Sequence, residues 1–340
     1  MITRRTLMQS GAILLALTSQ TFAAPEQTEL KLHFQNSNHF IPMAVAQSKG
    51  WFTEAGFESV ELTSFSSGAL AGEALLAGEI SVWLPGNLPV ISMRHNALPV
   101  VVVGKICDVY EKLVVRPDAG IETPEDLYDK RIGLLEGSTA SAMLHNIAAQ
   151  YGLDESRLTS VNLPPPEQIS ARASDDVQAV IVWEPVATRA QQAAGGEVLI
   201  KDNISGFAGD EGTEILASKT LVPIVFSEPF MRENPETARA VLQTLVKAVE
   251  YTMDEANRDE VISIFSEASG REPADIEREW AEYHFDVTID QDYVDAMQNY
   301  TDFLDHAGRI SRPKGPLTYT STEFLAELNP DYVETPGEWK

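Results

Sequence analysis

One cysteine, Cys107, stands in 340 residues, so neither an internal disulfide nor a cysteine-based metal centre is open to the chain and stability has to come from packing. Histidine is sparse as well, and the six residues are scattered without the spacing of a zinc site. No metal and no cofactor is expected. Basic residues are outnumbered, 25 Lys and Arg against 51 Asp and Glu, which leaves a formal charge of −26. A field of that sign repels nucleic acid and anionic membrane, so neither is expected as a partner. The acids are dispersed, which reads as a solvated surface. Also missing are a P-loop, triad spacing and any apolar run near the roughly 20 residues that span a bilayer.

What is present begins with a leader. Arg4 and Arg5 precede an apolar stretch from Gly11 to Leu17, and Thr21-Phe22-Ala23 offers a small-residue cleavage site, so residues 1–23 read as a signal peptide. Thr3-Arg4-Arg5-Thr6-Leu7-Met8 resembles the twin-arginine export signal, with ordinary secretion as the alternative. No cysteine lies near the cleavage site to carry a lipid anchor. A free, exported periplasmic protein is expected, acting as a monomer.

The length suits two domain-sized cores. Leu30, Leu32 and Phe34 alternate with Lys31 and His33 as a first strand, and Pro42 opens a helix that ends at Gly50. Val60 to Phe65 is a strand and Gly68 to Ala77 a helix. Ile80, Val82 and Leu84 alternate as another strand, and the valine run from Pro99 to Ile106 suits one buried on both faces. Strand and helix keep alternating through Arg131–Leu135, Ala140–Tyr151, Thr159–Leu163, Val177–Val182 and Val198–Ile200. This is an α/β pattern. The chain then returns at Leu221–Phe226 and turns helical, with Ala238, Val241, Leu242, Leu245 and Val249 on one stripe. Lobe 1 is therefore assigned to residues 24–115 and 220–312, lobe 2 to residues 116–219, and the proline-containing residues 313–340 to an extended tail.

Two stretches share one design. Arg131-Ile132-Gly133-Leu134-Leu135 breaks at Glu136-Gly137-Ser138-Thr139 and reopens as a helix, and Val60 to Phe65 does the same at Ser66-Ser67-Gly68. Each offers a helix first turn, with unpaired N–H groups and small hydroxyls, as a seat for an anion. Ligands of open α/β sheets sit beyond strand C-terminal ends. That rule selects Asn38, His39, Phe40, Ser66, Ser67, Gly68, Gly86, Asn87, Gly137, Ser138, Thr139, Trp183 and Glu184 as the binding residues. Trp183, Phe40 and Phe65 are the aromatic walls. Helix capping by the hydroxyls and plain core packing by the aromatics are the alternatives.

Four motifs carry a family resemblance: Pro42-Met43-Ala44-Val45-Ala46-Gln47-Ser48-Lys49-Gly50-Trp51-Phe52, Ala74-Leu75-Leu76-Ala77-Gly78-Glu79-Ile80, Gly137-Ser138-Thr139-Ala140 and Val182-Trp183-Glu184-Pro185. In this order they resemble the nitrate/taurine/aliphatic-sulfonate family of periplasmic solute-binding proteins of ABC transporters, over roughly residues 28 to 310. The resemblance implies a periplasmic-binding-protein type II clamshell: two α/β lobes joined by two crossover strands, with C-terminal helices packed on lobe 1. It also implies an ABC permease and an ATPase as partners. Leu84-Pro85-Gly86-Asn87 departs from the glycine- and aspartate-rich loop of the family, and His39-Phe40 is not a family signature.

A carboxylate at Glu184 pairs with an ammonium and repels a bare anion, so helix ends together with Glu184 point to a sulfonate or taurine-like zwitterion; the alternative for Glu184 is a cap on the helix that Pro185 opens. Aromatic carboxylate, nitrate and pyrimidine ligands are the alternatives. An enzyme on the same fold, desulfinase-like or pyrimidine-synthase-like, is the other class, and Cys107 is its one possible thiol nucleophile. A sensory role, presenting the ligand to a membrane receptor, uses the same clamshell.

Overall fold

The computed structural model describes residues 23–96 and 98–340. The leader expectation falls almost wholly on residues 1–22, outside the described residues. Strands β1 (Glu29–Phe34) and β2 (Ser59–Ser64) run parallel, from Glu29 opposite Ser59 to Phe34 opposite Ser64. Next comes β3 (Val100–Val109), whose residues are buried except for Asp108, as a valine-rich strand covered on both faces must be. The chain then leaves for a second sheet of β4 (Lys112–Val115), β5 (Arg131–Leu134), β6 (Thr159–Asn162), β7 (Ala179–Val182), β8 (Glu197–Lys201) and β9 (Ile204–Ser205), in the order β6-β5-β7-β4-β8-β9. It returns as β10 (Thr220–Ser227) and later β11 (Tyr283–Phe285), both antiparallel to β3.

The stretch read as a strand over Ile80–Leu84 makes only single bridges, Leu32 to Val82 and Trp83 to Val225. Gly78 at positive φ and Pro85, which has no N–H, leave it too short for a ladder. Those bridges still stitch β1 to β10, so the first lobe has one continuous row from β2 to β11. The helix Pro235–Met253 lays Val241, Leu242, Leu245 and Val249 into the same core as Ile41, Met43 and the β3 valines. Under the second sheet, Ile132, Leu134, Met143, Ile147 and Ile181 form another core.

Two expectations need correction. Lys112–Val115, read as the end of lobe 1, pairs with β7 and β8 in the second sheet, so the first crossing falls at Tyr110–Glu111. The proline-containing tail is not simply extended. It folds into a short helix at Glu323–Leu328 after a single 3-10 turn, and it buries Tyr319 and Leu325 completely. Full burial of large apolar side chains, at about 1.5–3 kcal/mol each, outweighs the local preference of the prolines. Among the described residues no helix is long and apolar enough to cross a membrane.

Candidate functional site

Both crossings between the sheets pass through one waist, where Tyr110–Glu111 and residues 217–219 run side by side. A cleft opens there between the lobes. The space within it, open mouth included, is about 430 Å³. The first lobe contributes Gln35, His39, Gly68, Ala69, Leu84, Gly86 and Pro89 to its walls, and the second contributes Ser138, Thr139 and Trp183. The crossover strands supply Val109, Glu111, Thr220 and Val222. The apolar members give enclosure, the polar members orientation.

Two helices begin on opposite walls. Gly68–Leu76 starts after Ser67, whose hydroxyl accepts from the Leu70 N–H at 3.3 Å, and Thr139–Tyr151 starts after Ser138, whose hydroxyl turns back to the Leu135 carbonyl at 2.7 Å. Gly137, at φ +76, makes the turn that lets β5 reverse into the second of these helices. The walls come very close. A Cβ built on Gly86 would lie 2.9 Å from Thr139 Cγ2 and 3.5 Å from Thr220 Cγ2.

Among the described residues Glu111 is the one acidic side chain in the walls, and it is 1% exposed. Its carboxylate accepts from the hydroxyls of Thr139 and Ser218, and from that of Thr220 at 2.8–2.9 Å. The Tyr300 hydroxyl lies 3.0 Å behind Thr220. Burial pushes the Glu111 carboxyl up, while the hydroxyls of Ser218, Thr139 and Thr220 oppose the shift. His39 leans on Phe40 and Tyr283, and burial pushes its imidazole down to about 3, so it is neutral. Among the described residues no lysine or arginine lines the cleft, and no group of three or more His, Cys, Asp and Glu is placed to hold a metal ion.

The family signature described as NMT1/THI5 like matches residues 36–258, well over half of the chain. The chain belongs to the NMT1/THI5-like family. The taurine-binding periplasmic protein of Escherichia coli (strain K12) is 27% identical over 240 residues, 70% of each chain. Two solved structures show the same fold. The alkanesulfonate-binding protein SsuA from Xanthomonas axonopodis pv. citri, bound to MOPS, superposes with a TM-score of 0.72 at 20% identity, over 87% of this chain and 99% of that one. The nitrate-binding protein NrtA from Synechocystis PCC 6803 gives 0.68 at 16% identity, over 92% and 87%.

In this NMT1/THI5-like chain the residues selected from the sequence separate into two groups. His39, Gly68, Gly86, Ser138, Thr139 and Trp183 come together in the cleft walls. The others lie elsewhere. Asn38 turns inward, donating to the Ile276 carbonyl at 3.2 Å and accepting from Arg271 at 2.5 Å. Phe40 is fully buried, edge-on to His33 and Phe34, and Phe65 packs edge-on to His33. Ser66 is exposed, Ser67 is the helix cap, and Gly137 is the turn behind the wall. Asn87 bonds the carbonyls of Lys219 and Ala296 at 3.1 and 3.3 Å, tying the first lobe to the returning crossover.

Glu184 takes the capping alternative. Its carboxylate pairs with Lys112 at 2.7 Å and accepts from the N–H and hydroxyl of Thr188, each at 3.0 Å, so it caps the Val186–Ala194 helix outside the cleft. Its carbonyl accepts from Ser37 at 2.8 Å and Tyr283 at 3.0 Å, which joins the lobes. The sequence reading missed Gln35, Glu111 and Thr220. One signal was available for Glu111: Glu111-Lys112 is a charged pair set between two apolar strands.

Proposed function

We propose that this chain is the exported solute receptor of an ABC importer, holding a small organic anion or zwitterion of the sulfonate or taurine kind between its lobes. It delivers that molecule, chemically unchanged, to a membrane permease driven by its ATPase. The observation that carries the reading is the cleft at the waist, walled by both lobes and by both crossovers, with a helix start on each side.

Magnitudes support enclosure as the main source of affinity. A helix N-terminus gives about 0.3–1 kcal/mol to an anion, up to ~2 when partly buried, while micromolar binding needs about 8 kcal/mol. The remainder comes from closing Leu84, Val109, Trp183 and Val222 over the solute. Cys107 supports a receptor over an enzyme. It is fully buried in β3, away from the cleft walls, and burial pushes its thiol well up, the opposite of what a nucleophile needs.

A thermal-shift screen of the purified protein against taurine, alkanesulfonates, nitrate, aromatic carboxylates and pyrimidines tests the proposal. A ligand at 100 times its Kd adds about 2.7 kcal/mol of stability. Taurine or an alkanesulfonate should raise the melt and be recovered intact. A response confined to a pyrimidine, or conversion of the ligand, refutes it.

A further inference from the structure

We infer that Glu111 is the specificity-determining residue of the cleft, and that it selects a solute bearing an ammonium or N–H donor over a bare oxyanion. This rests on the solute-receptor reading above and goes on to name the group the solute must carry. The first ground is composition. Glu111 is the one carboxylate in the walls, no lysine or arginine lines them among the described residues, and the wall histidine, His39, is neutral. The neighbouring Lys112, the first residue of β4, is not in the cleft wall. It pairs with Glu184 at 2.7 Å and Glu282 at 3.0 Å.

The second ground is how the carboxylate is held. Thr139, Ser218 and Thr220 each bring a single hydroxyl proton to Glu111, and its own backbone N–H is a further donor. None of these donors is charged, so among the described residues the carboxylate is fixed in the cleft wall with no cation beside it, and an ammonium or N–H of the solute is the charge-assisted partner it lacks. Bonds of this charge-assisted kind are about twice as strong as neutral ones.

The third ground is position. The bond from Thr139 places Glu111 against the first turn of the Thr139–Tyr151 helix. The positive end of that helix already faces a protein carboxylate, which discounts it as a seat for a free anion. The other helix start, at Gly68, keeps that capacity. A zwitterion then fits in one orientation, with its ammonium toward Glu111 and its anionic group toward Gly68 and Ala69.

Isothermal titration of the full mature protein with two matched pairs, taurine against ethanesulfonate and β-alanine against propionate, tests this on wild type and on Glu111→Gln. In wild type at least one amine-bearing member should bind roughly 10- to 100-fold tighter than its amine-free partner, the range for a hydrogen bond to a charged group. In Glu111→Gln that ratio should fall to near one. Equal or tighter binding of the amine-free members to wild type overturns the inference while leaving the receptor reading in place, and this comparison needs no variant to fold. A ratio that survives in a folded Glu111→Gln protein also overturns it. If none of the four compounds binds wild type, the small-anion or zwitterion reading falls, and the assignment of Glu111 falls with it.

Discussion

Replacing Gly86 by alanine tests whether the two lobes close as tightly as the structure shows. Gly86 is not among the residues held at positive φ, so the change adds no backbone strain and the effect is steric. The new methyl would stand 2.9 Å from Thr139 Cγ2. Comfortable carbon contacts begin near 3.5–4.0 Å, so the Thr139 methyl must retreat by about 0.6–1 Å. Thr139 cannot do this alone, because its hydroxyl is held by Glu111 and its backbone begins the Thr139–Tyr151 helix. The second lobe has to yield.

Overpacking of this size costs about 1–3 kcal/mol, and it falls on the closed state alone. At 1.4 kcal/mol per decade, a cost near 1–2 kcal/mol weakens binding of the solute that shifts the wild-type melt by about 5- to 30-fold. The melt of the free protein should hold or rise slightly, since Gly→Ala at a compatible φ reduces unfolded-state entropy. Titration calorimetry on Gly86→Ala, Thr139→Ser and the double variant reads the effect. Thr139→Ser deletes the clashing methyl and keeps the hydroxyl, so it should restore most of the lost affinity. Wild-type affinity in Gly86→Ala, or no recovery in the double variant, refutes the reasoning.

Lys112→Met leaves Glu184 buried without its cation, and it should destabilise the fold by about 3–5 kcal/mol in a denaturant melt, with partial recovery on adding Glu184→Gln. His33 is fully buried, and burial pushes its imidazole down to about 3 from an ordinary 6.5. The unfolded chain therefore binds a proton below pH 6.5 that the folded chain refuses, and the stability this contributes is complete above pH 6.5 and lost as pH falls toward 3. At 1.36 kcal/mol per unit the loss is of order 5 kcal/mol, and His33→Leu should show a shallower fall in unfolding free energy across that window; parallel curves contradict it. Cys107→Ala should leave solute affinity unchanged within twofold by titration calorimetry, since the thiol is sealed in β3 away from the cleft.

Much of this molecule is local chemistry, and local chemistry is legible in order along the chain. Period-two alternation marks β1, the valine run marks β3, a stripe at helical spacing marks Pro235–Met253, and Gly50 and Gly137 mark turns, because each signal depends on neighbours a few residues away. The same is true of the two strand-to-helix turns, whose Gly68, Ser138 and Thr139 reach the cleft. Only the tertiary structure decided between the carboxylates. Glu184 and Glu111 both sit just outside strand ends, and which one faces the cleft depends on where Lys112, Ser218 and Thr220 arrive, from partners up to 109 residues away. Asn38 and Asn87 were lost to the interior for the same reason, since their partners lie 233 and 132 residues distant. The tail follows this rule as well. Its prolines speak for extended chain, but Tyr319 and Leu325 find a core that the distant strands and helices have already built, and burial there outweighs local preference.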